Sequence, residues 1–509
     1  MVGYEILHIQ VKMKNMTQHY SSVAEFSRFL SSKKKIWRRN VHANSVGSKR
    51  HYRDLIRRQV RAFRSIFGSA EVPKAAHAAS AGLWTSIPFD QMHIILPAEQ
   101  HRRSERERET DRDARRTLRR AVRTTLVGDR GSLELVSAKN VDAGRNSLVA
   151  RSARSGNGSI RGLYFERLGV AVVPPLTSEQ VQELEGEGLV VMKNEPVVLD
   201  RPTPEAGSQS AAYSTWHLSA VGIDATKPRR FTGKGVTIGV LDTGIDQSHP
   251  EFEDKNVDFC EFDQNGLPKT TAAIDYDVHG THVSALSAGR NVGVAPEASL
   301  AVAAVMTEMQ DGKMIGYDAQ ILGGLNWLAS KAGRDGIGVD IINASLGSSG
   351  AEKRYFGAFL PHHADGRLIV ASIGNEGDEG AGTHLDPARY DFVIGVGACD
   401  RNNNMATFSA WGRTYPQNGD DHKPDLVAPG VAVESALPQG RYGCMDGTSM
   451  ASPIVAGAAA LLIEHNESLR GDSIGLKQRI LELTCALPTT AHNRNAKRFG
   501  RGRLDLSLM

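Results

Sequence analysis

Three short segments of this chain hold residue types that together can turn a hydroxyl group into a nucleophile. Ser449 lies in GTSMASP, His279 in DVHGTHV and Asp242 in VLDTG. A serine hydroxyl is a weak nucleophile until a base takes its proton, and imidazole titrates near neutral pH. A carboxylate can hold that imidazole in the required tautomer and stabilise its cation. The segments therefore predict acyl transfer with Ser449 as nucleophile, His279 as general base and Asp242 as orienting acid.

Acyl transfer also needs hydrogen-bond donors for the oxyanion that forms on the attacked carbonyl. Asn375 follows the apolar run RLIVASIG and offers a side-chain amide at the end of a predicted strand. Ser449 comes just before a small apolar helix, and Pro453 suits the first turn of that helix. The unpaired backbone N–H groups of a helix N-terminus favour developing negative charge. We therefore expect Asn375 and the start of this helix to stabilise the oxyanion.

The elements that must position these residues are buried strands and the helices between them. Five continuous runs of Val, Ile and Ala follow the pattern of strands that are buried on both faces. Ile321, Leu325 and Leu328 recur at helical spacing between two of these runs, which favours strand–helix–strand units with parallel strands. This predicts a three-layer α/β fold with a mostly parallel central sheet, in which reactive groups gather at the carboxyl ends of the strands. The runs are 235–242, 299–306, 340–346, 367–374 and 392–398.

Each segment taken alone has another interpretation. An aspartate at a strand end is commonly a turn or cap residue. Asp242-Thr243-Gly244 also spells the signature of aspartic proteases, but those enzymes need a second such carboxylate, and the chain has no further DTG or DSG. His279 and His282 could form a metal pair, but no acidic third ligand accompanies them at the spacing of zinc proteases. We therefore expect no metal at this site.

Nine segments between about Trp216 and Asp505 carry a more specific signal. They are VLDTGID, HPEF, HGTHVSALSAG, GVAP, NASLG, IGNEG, FSAWG, DLVAPG and GTSMASPIVAG. In this order the segments resemble the subtilisin family of serine proteases. The resemblance implies a serine endopeptidase in which Asp242, His279 and Ser449 form the triad.

The same resemblance implies where the oxyanion and the substrate bind. It makes Asn375 the oxyanion donor. Ser345, Leu346 and Gly347 would form an edge against which an extended peptide adds as a strand. Gly374 would belong to the wall of the primary substrate pocket, for which we expect an apolar lining.

The chain departs from the family at its calcium-binding insertion. The loop at 290–292 is too short to resemble that insertion. Glu251 could serve as one oxygen ligand, but the six or more ligands that a hard cation takes cannot be assembled from the sequence. We expect no cofactor; calcium is possible but not predicted.

The predicted catalytic domain covers residues 214–509, and the segment before it is predicted to form a small separate unit. Residues 160–200 follow the pattern of strand, capped helix and strand. This α+β unit resembles the family's inhibitory propeptide, which docks on the catalytic domain and places its tail in the cleft. Residues 201–213 are rich in Pro, Gly and Ser and are predicted to be a linker open to cleavage. We therefore expect a zymogen whose own propeptide-like segment is a partner of the catalytic domain, besides protein or peptide substrates.

The first 150 residues form a basic extension that is predicted to be partly helical or disordered. Residues 1–130 contain 27 Lys and Arg but only 12 Asp and Glu, which leaves a net charge of −11 on 131–509. A basic amphipathic helix over 50–67 could bind nucleic acid or an anionic membrane by displacing counterions. A solvated or disordered extension, or one created by a start codon placed too far upstream, is the preferred interpretation, because such charge-rich segments bury little surface. The alternative function is a non-catalytic protease-fold protein that binds nucleic acid or membrane through this arm.

Composition and terminal signals set the remaining expectations. With 40% hydrophobic and 23% charged residues, the chain is not collagen-like, a disulfide scaffold or wholly disordered. No apolar stretch approaches the roughly 20 residues of a transmembrane helix. The N-terminus lacks the continuous apolar core of a secretory signal, so we expect a cytoplasmic protein, or a secreted one if the start codon is wrong. The four cysteines match no CxxC metal motif and are predicted to be free thiols.

Overall fold

The structure is a computed structural model. It describes residues 89–97, 134–137, 161–165, 167–168, 170–186, 189–199, 214–226, 228–269, 271–329, 338–349, 355–415, 421–490 and 493–509. The basic helix predicted over 50–67 and the linker predicted over 201–213 lie outside these residues, so the predicted domain boundaries stay predictions.

The helices and strands follow one another in two groups. The first group is β1 (His93–Pro97), β2 (Glu134–Ser137), β3 (Arg161–Phe165), β4 (Val170–Val173), α1 (Ser178–Gly186), β5 (Leu189–Lys193) and β6 (Pro196–Val198). The second group is α2 (Trp216–Ala220), β7 (Thr237–Asp242), β8 (Val257–Phe262), β9 (Pro268–Lys269), α3 (His279–Ala288), β10 (Ser299–Ala304), β11 (Glu308–Gln310), β12 (Lys313–Tyr317), α4 (Asp318–Leu328), β13 (Ile341–Ala344), α5 (Phe356–Ala364), β14 (Leu368–Ser372), β15 (Ile394–Cys399), β16 (Gly412–Arg413), β17 (His422–Lys423), β18 (Leu426–Pro429), β19 (Val433–Leu437), β20 (Arg441–Met445), α6 (Thr448–His465), α7 (Ser473–Glu482), β21 (Thr484–Cys485) and β22 (Arg503–Leu504). Among the described helices, none combines the length and the hydropathy that crossing a bilayer requires.

The main sheet confirms the predicted α/β architecture. Within the described residues it has ten strands in the order β21-β22-β18-β15-β14-β13-β7-β10-β8-β9, and the eight from β22 to β8 are parallel to their neighbours. Every residue of β7 is buried, as its continuous apolar pattern predicts. Ile238 and Val240 pack into the hydrophobic core that contains α3 and α6. A Cβ atom on Gly239, which points to the other face, would meet Leu328 of α4. The layer that contains α3 and α6 and the layer that contains α4 therefore lie on opposite faces of the sheet.

Close packing between α3 and α6 brings two of the predicted reactive segments to one side of the sheet. α6 is buried over its first 16 residues, because small and apolar side chains cover its whole circumference. A Cβ atom on Gly457 would lie 2.7 Å from Cβ of Val294 and 2.8 Å from the carbonyl oxygen of Ser287 at the end of α3. Glycine at this position therefore allows the backbone of α6 to approach α3 closely.

The small unit before the linker is a sheet with a helix on one face. Its strands have the order β2-β3-β4-β1-β5 within the described residues. Thr177 caps α1, since its Oγ1 accepts from the Gln180 N–H at 3.3 Å and Gln180 Oε1 accepts from the Thr177 N–H at 2.9 Å. The sequence predicts β4, α1 and β5, but it assigns β1 and β2 to the basic extension. The sheet takes in these two strands because β1 pairs with both β4 and β5, whereas β2 pairs with β3.

Candidate active site

Asp242 and His279 are joined by a buried hydrogen bond. Asp242 is the last residue of β7 and His279 is the first residue of α3, and their side chains are almost wholly inaccessible to solvent. His279 Nδ1 lies 2.7 Å from Asp242 Oδ1, and the Thr243 N–H donates to the same oxygen at 2.8 Å. The carboxylate thus fixes both the ring orientation and the tautomer, because an Nδ1–H that donates to Asp242 leaves Nε2 as the acceptor.

The electrostatics of His279 suit a general base. Burial favours the neutral imidazole, but the charge of Asp242 and its hydrogen bond outweigh burial and raise the pKa of His279 above its usual value. Nε2 is buried and, among the described residues, has no hydrogen-bond partner. A buried nitrogen that lacks a partner is rare in proteins and indicates a position that a substrate or a transferred proton completes.

Ser449 lies in the first turn of α6, where the backbone N–H groups have no partner within the helix. Its hydroxyl donates to the carbonyl oxygen of Ser345 at 3.3 Å. The sequence predicts Pro453 in the first helical turn, and this prediction is wrong. The helix begins five residues earlier, at Thr448. The missing N–H of Pro453 leaves the Ser449 carbonyl without its helical donor, and the Ser345 hydroxyl donates to that carbonyl at 3.0 Å instead. This bond ties the start of α6 to the end of β13.

Asn375 is held by its side-chain oxygen. Asn375 Oδ1 accepts from the backbone N–H of Thr448 at 2.9 Å and from the Thr448 hydroxyl at 3.0 Å. The same hydroxyl accepts from the N–H of Gly374 at 3.2 Å. Because Oδ1 is engaged, the amide Nδ2 of Asn375 is the end that remains to donate. Asn375 and Ser449 are thereby linked through Thr448, the residue that precedes the serine.

A family model described as the subtilase family matches residues 233–502, which is more than half of the chain. The chain belongs to the subtilase family. It is 38% identical over 258 residues to Subtilisin Savinase of Lederbergia lenta, which spans 50% of this chain and 85% of that protein. It is 35% identical over 291 residues to the alkaline protease of Shouchella clausii, which spans 56% of this chain and 69% of that protein. A solved cold adapted subtilisin-like serine proteinase aligns with a TM-score of 0.46 and 25% identity over 58% of this chain and 97% of that one. The protein is accordingly a subtilisin-like serine endopeptidase, a hydrolase.

One half-buried carboxylate near the site of this subtilase was missed by the sequence interpretation. Asp275 accepts from the Thr243 hydroxyl at 2.6 Å and from the Thr281 N–H and hydroxyl at 2.7 and 2.6 Å. Burial raises its pKa to about 6, despite these hydrogen bonds. Asp275 thus joins the residue after Asp242 to the first turn of the helix that carries His279. The sequence could not single it out, because Asp277 offers an equal carboxylate two positions away.

Neither alternative metal interpretation fits the subtilase structure. His282 Nε2 lies 3.1 Å from the carbonyl oxygen of Gly443, so its ring pairs with the β20 backbone. Glu251 is buried, and its carboxylate accepts hydrogen bonds from the N–H groups of Asn291 and Val292, the Asn291 amide and the Tyr442 hydroxyl. Since N–H and O–H donors occupy both oxygens of Glu251, this carboxylate is not available as a calcium ligand. Within the part of the chain that the structure describes, no group of three or more His, Cys, Asp or Glu side chains could hold a metal ion.

We expect Asn375→Ala to lower kcat of this subtilase by roughly 10²–10³, a magnitude measured for the corresponding donor of a subtilisin. The physical reason is that Nδ2 can bind the oxyanion strongly only once charge develops, so KM should change little. Steady-state kinetics on a peptide amide checks both parameters. Thr448→Val is the matched control, because it removes one of the two anchors of Asn375 and should cost about fivefold, the size of one net hydrogen bond. An Asn375→Ala variant with unchanged kcat would exclude the oxyanion role.

Proposed function

We propose that this subtilase hydrolyses peptide bonds through an acyl-enzyme on Ser449 and is made as a zymogen. The observation that carries the catalytic part is the 2.7 Å hydrogen bond between His279 and Asp242. His279 opens α3, which packs against α6, the helix whose first turn contains Ser449. Asp242 and His279 supply an oriented base, and Ser449 supplies a hydroxyl at a helix N-terminus. The lack of a partner for Nε2 among the described residues adds support.

In each half of the proposed reaction, His279 Nε2 takes one proton from the attacking group and gives one proton to the leaving group. Ser449 Oγ leaves the Ser345 carbonyl, gives its proton to His279 Nε2 and bonds to the substrate carbonyl carbon. The resulting oxyanion accepts from Asn375 Nδ2 and from the Ser449 N–H. As the oxyanion collapses, the C–N bond breaks, Nε2–H protonates the amine that leaves, and the acyl group stays on Ser449. Water then gives a proton to His279 Nε2 and attacks the acyl carbon. Collapse of this second intermediate breaks the ester bond, Nε2–H returns the proton to Ser449 Oγ, and the carboxylic acid is released.

A fluorophosphonate probe tests the catalytic proposal directly, because it reacts with activated serine hydroxyls. The protein should be labelled at Ser449, and the Ser449→Ala variant should not be labelled. Peptide mapping of the modified residue distinguishes Ser449 from other serines. Labelling that survives the substitution would contradict the assignment of the nucleophile.

The zymogen part of the proposal is supported by a strand that the small unit adds to the catalytic part. β6 pairs antiparallel with β12, so that β11, β12 and β6 form a separate sheet. Beyond β6, the Leu199 N–H donates to the carbonyl oxygen of Met314 at 2.9 Å, and Leu199 is buried. This pairing occurs immediately before the predicted linker. A segment that pairs in this way is favourably placed to continue into a substrate cleft.

A second contact joins the small unit to the N-terminus of α4. Asn194 Oδ1 accepts from the Ala319 N–H at 2.9 Å, and Asn194 Nδ2 donates to the carbonyl oxygen of Gln264 at 2.9 Å. The Glu195 N–H donates to Asp318 Oδ2, also at 2.9 Å. Asn194 thus satisfies a backbone donor that the first turn of a helix leaves without a partner. The small unit therefore binds the catalytic part through specific polar contacts as well as through β6.

Self-processing gives the zymogen proposal a mass test. We expect the parent protein to be shortened by cleavage within residues 201–212, and the Ser449→Ala variant to keep its full mass, because cleavage needs the nucleophile. Intact-mass spectrometry of both proteins measures this. Addition of a trace of parent protein to the variant should restore the cut, which controls for a misfolded linker. Identical full-length masses for parent and variant would count against self-processing.

A further inference from the structure

The space beside two glycines at the carboxyl ends of β13 and β14 is filled by one leucine side chain. A Cβ atom on Gly347 would lie 2.7 Å from Cβ and 3.0 Å from Cδ1 of Leu385. A Cβ atom on Gly374 would lie 2.9 Å from Cγ and 3.2 Å from Cδ1 of the same residue. Leu385 is 7% exposed. Its side chain therefore contacts both glycine backbones, and neither glycine has room for a side chain of its own.

This space is where the geometry of the proposed reaction directs the substrate residue whose carbonyl is attacked. β13 and β14 are parallel neighbours, so the segments that follow them emerge at the same edge of the sheet. The segment after β13 contains Ser345, whose carbonyl lies 3.3 Å from the Ser449 hydroxyl. The segment after β14 contains Asn375, the proposed oxyanion donor. A substrate residue whose carbonyl is held between Ser449 and Asn375 places its side chain between these two segments, which contain Gly347 and Gly374.

The backbone around Leu385 is fixed on both sides, so the leucine does not act as a movable lid. The Leu385 N–H donates to the carbonyl oxygen of Ile373 at 2.9 Å. The next residue, Asp386, exchanges two backbone hydrogen bonds with Ser348, of 3.0 and 3.1 Å. The buried Asp386 carboxylate also pairs with Arg389. The loop is thus tied to the ends of both strands that line the space.

A carboxylate beside the space that Leu385 fills adds a preference about the charge of the substrate side chain. Glu376 Oε2 accepts from the Asn375 N–H at 3.1 Å and would lie 3.1 Å from a Cβ atom on Gly374. A negative group so close to the Gly374 wall repels an acidic substrate side chain. The Gly374 wall therefore disfavours substrate side chains that are large and those that are acidic.

We infer that Leu385 occludes the pocket for the substrate residue on the amino side of the scissile bond, and restricts that residue to small, non-acidic side chains such as Gly, Ala and Ser. The inference rests on the proposed catalytic function and specifies its substrate class. The inference keeps the expected apolar lining and adds that the side chain of Leu385 fills the space beside it. Large residues such as Leu and Phe are rejected because their side chains would need the volume that Leu385 holds.

A series of peptide p-nitroanilides that differ only in the residue before the scissile bond tests this specificity. The parent protein, expressed as the whole chain and with active sites counted by a fluorophosphonate probe, should cleave the Ala substrate with a kcat/KM at least about tenfold above that for Leu or Phe. This is the effect expected for a pocket that lacks room for several methylene groups. Leu385→Ala should raise kcat/KM for Leu and Phe about tenfold or more relative to Ala. Leu385→Val, which preserves packing better, should shift the same ratio in the same direction by a smaller factor.

Leu325→Ala is the control for general loss of packing. Leu325 is buried in α4. None of its atoms is among the nearest neighbours of a Cβ atom built on Gly347 or Gly374. Its substitution should leave the preference for Ala unchanged. A parent protein that is labelled by the probe and cleaves the Phe substrate as well as the Ala substrate would overturn the occlusion, as would a Leu385→Ala profile equal to that of the parent. If the probe labels nothing and no substrate is cleaved, the catalytic proposal fails and the occlusion fails with it.

Discussion

Ser449→Ala is expected to lower kcat by about 10⁶, a magnitude measured in subtilisin itself, a relative of this chain. The variant lacks the oxygen atom on which the acyl-enzyme is proposed to form. His279 and Asp242 act only on that atom's proton, so their contribution is lost with it. The residual rate should come from substrate binding and the oxyanion donors alone. Single-turnover and steady-state measurements on a peptide amide, with KM recorded separately, check whether the loss lies in the chemical step.

Two observations separate this prediction from damage to the fold. Ser284→Ala is the matched control, because Ser284 is a buried serine on α3 whose hydroxyl has no partner among the described residues. Its removal should leave kcat of the same order. Thermal unfolding should show that Ser449→Ala keeps the stability of the parent, since it loses only one 3.3 Å hydrogen bond to the Ser345 carbonyl. A Ser449→Ala variant that turns over at the parent rate would exclude Ser449 as the nucleophile.

Asp242→Asn is expected to lower kcat by about 10⁴ near neutral pH, the size seen for the same change in a trypsin-type triad. An asparagine amide that donates to Nδ1 would place the imidazole proton on Nε2, where it blocks acceptance from Ser449. The substitution also removes the charge that raises the pKa of His279. Because the base must be neutral, activity of the parent is lost as pH falls through this raised pKa, above the usual value of about 6.5. In the variant the residual activity should persist to lower pH.

The pH profile of kcat/KM measures this shift, since it reports the groups of the free enzyme. Asp277→Asn is the matched control. Asp277 raises the pKa of His279 through its charge, whereas the hydrogen bond to the ring comes from Asp242. The control should move the acidic limb slightly to lower pH and keep kcat of the same order. An Asp242→Asn variant whose acidic limb coincides with that of the parent would show that His279 is not the group that titrates.

The candidate reactive residues could be proposed from the sequence because each is embedded in a short segment with its own backbone signature. Asp242 ends an apolar strand run, His279 opens a helix and Ser449 precedes a run of small apolar residues. The central sheet was equally accessible, because strands buried on both faces produce continuous Val, Ile and Ala runs. These features depend on neighbours within about ten residues. The structure brings Asp242 and His279 together, and links Asn375 to Ser449 through Thr448.

Other features depend on partners that are distant in the chain. Pro453 was predicted in the first helical turn because proline is tolerated there, whereas the Ser345 hydroxyl satisfies the freed carbonyl from 104 residues away. Asp275 is distinguished from Asp277 only by its bonds to Thr243 and Thr281. β1 joined the small sheet against the prediction because strand pairing is decided by a complementary edge, which no local pattern encodes.

Residue type and local backbone pattern were sufficient to predict a candidate nucleophile, base and acid, and a buried parallel sheet. The tertiary structure alone decided which side chains meet. The sequence indicates that substrate preference depends on the loop around Leu385, but only the fold places this side chain between Gly347 and Gly374. The physical reason is that van der Waals contact acts over a few ångströms in space, and proximity in space between residues far apart in the chain exists only once the chain is folded.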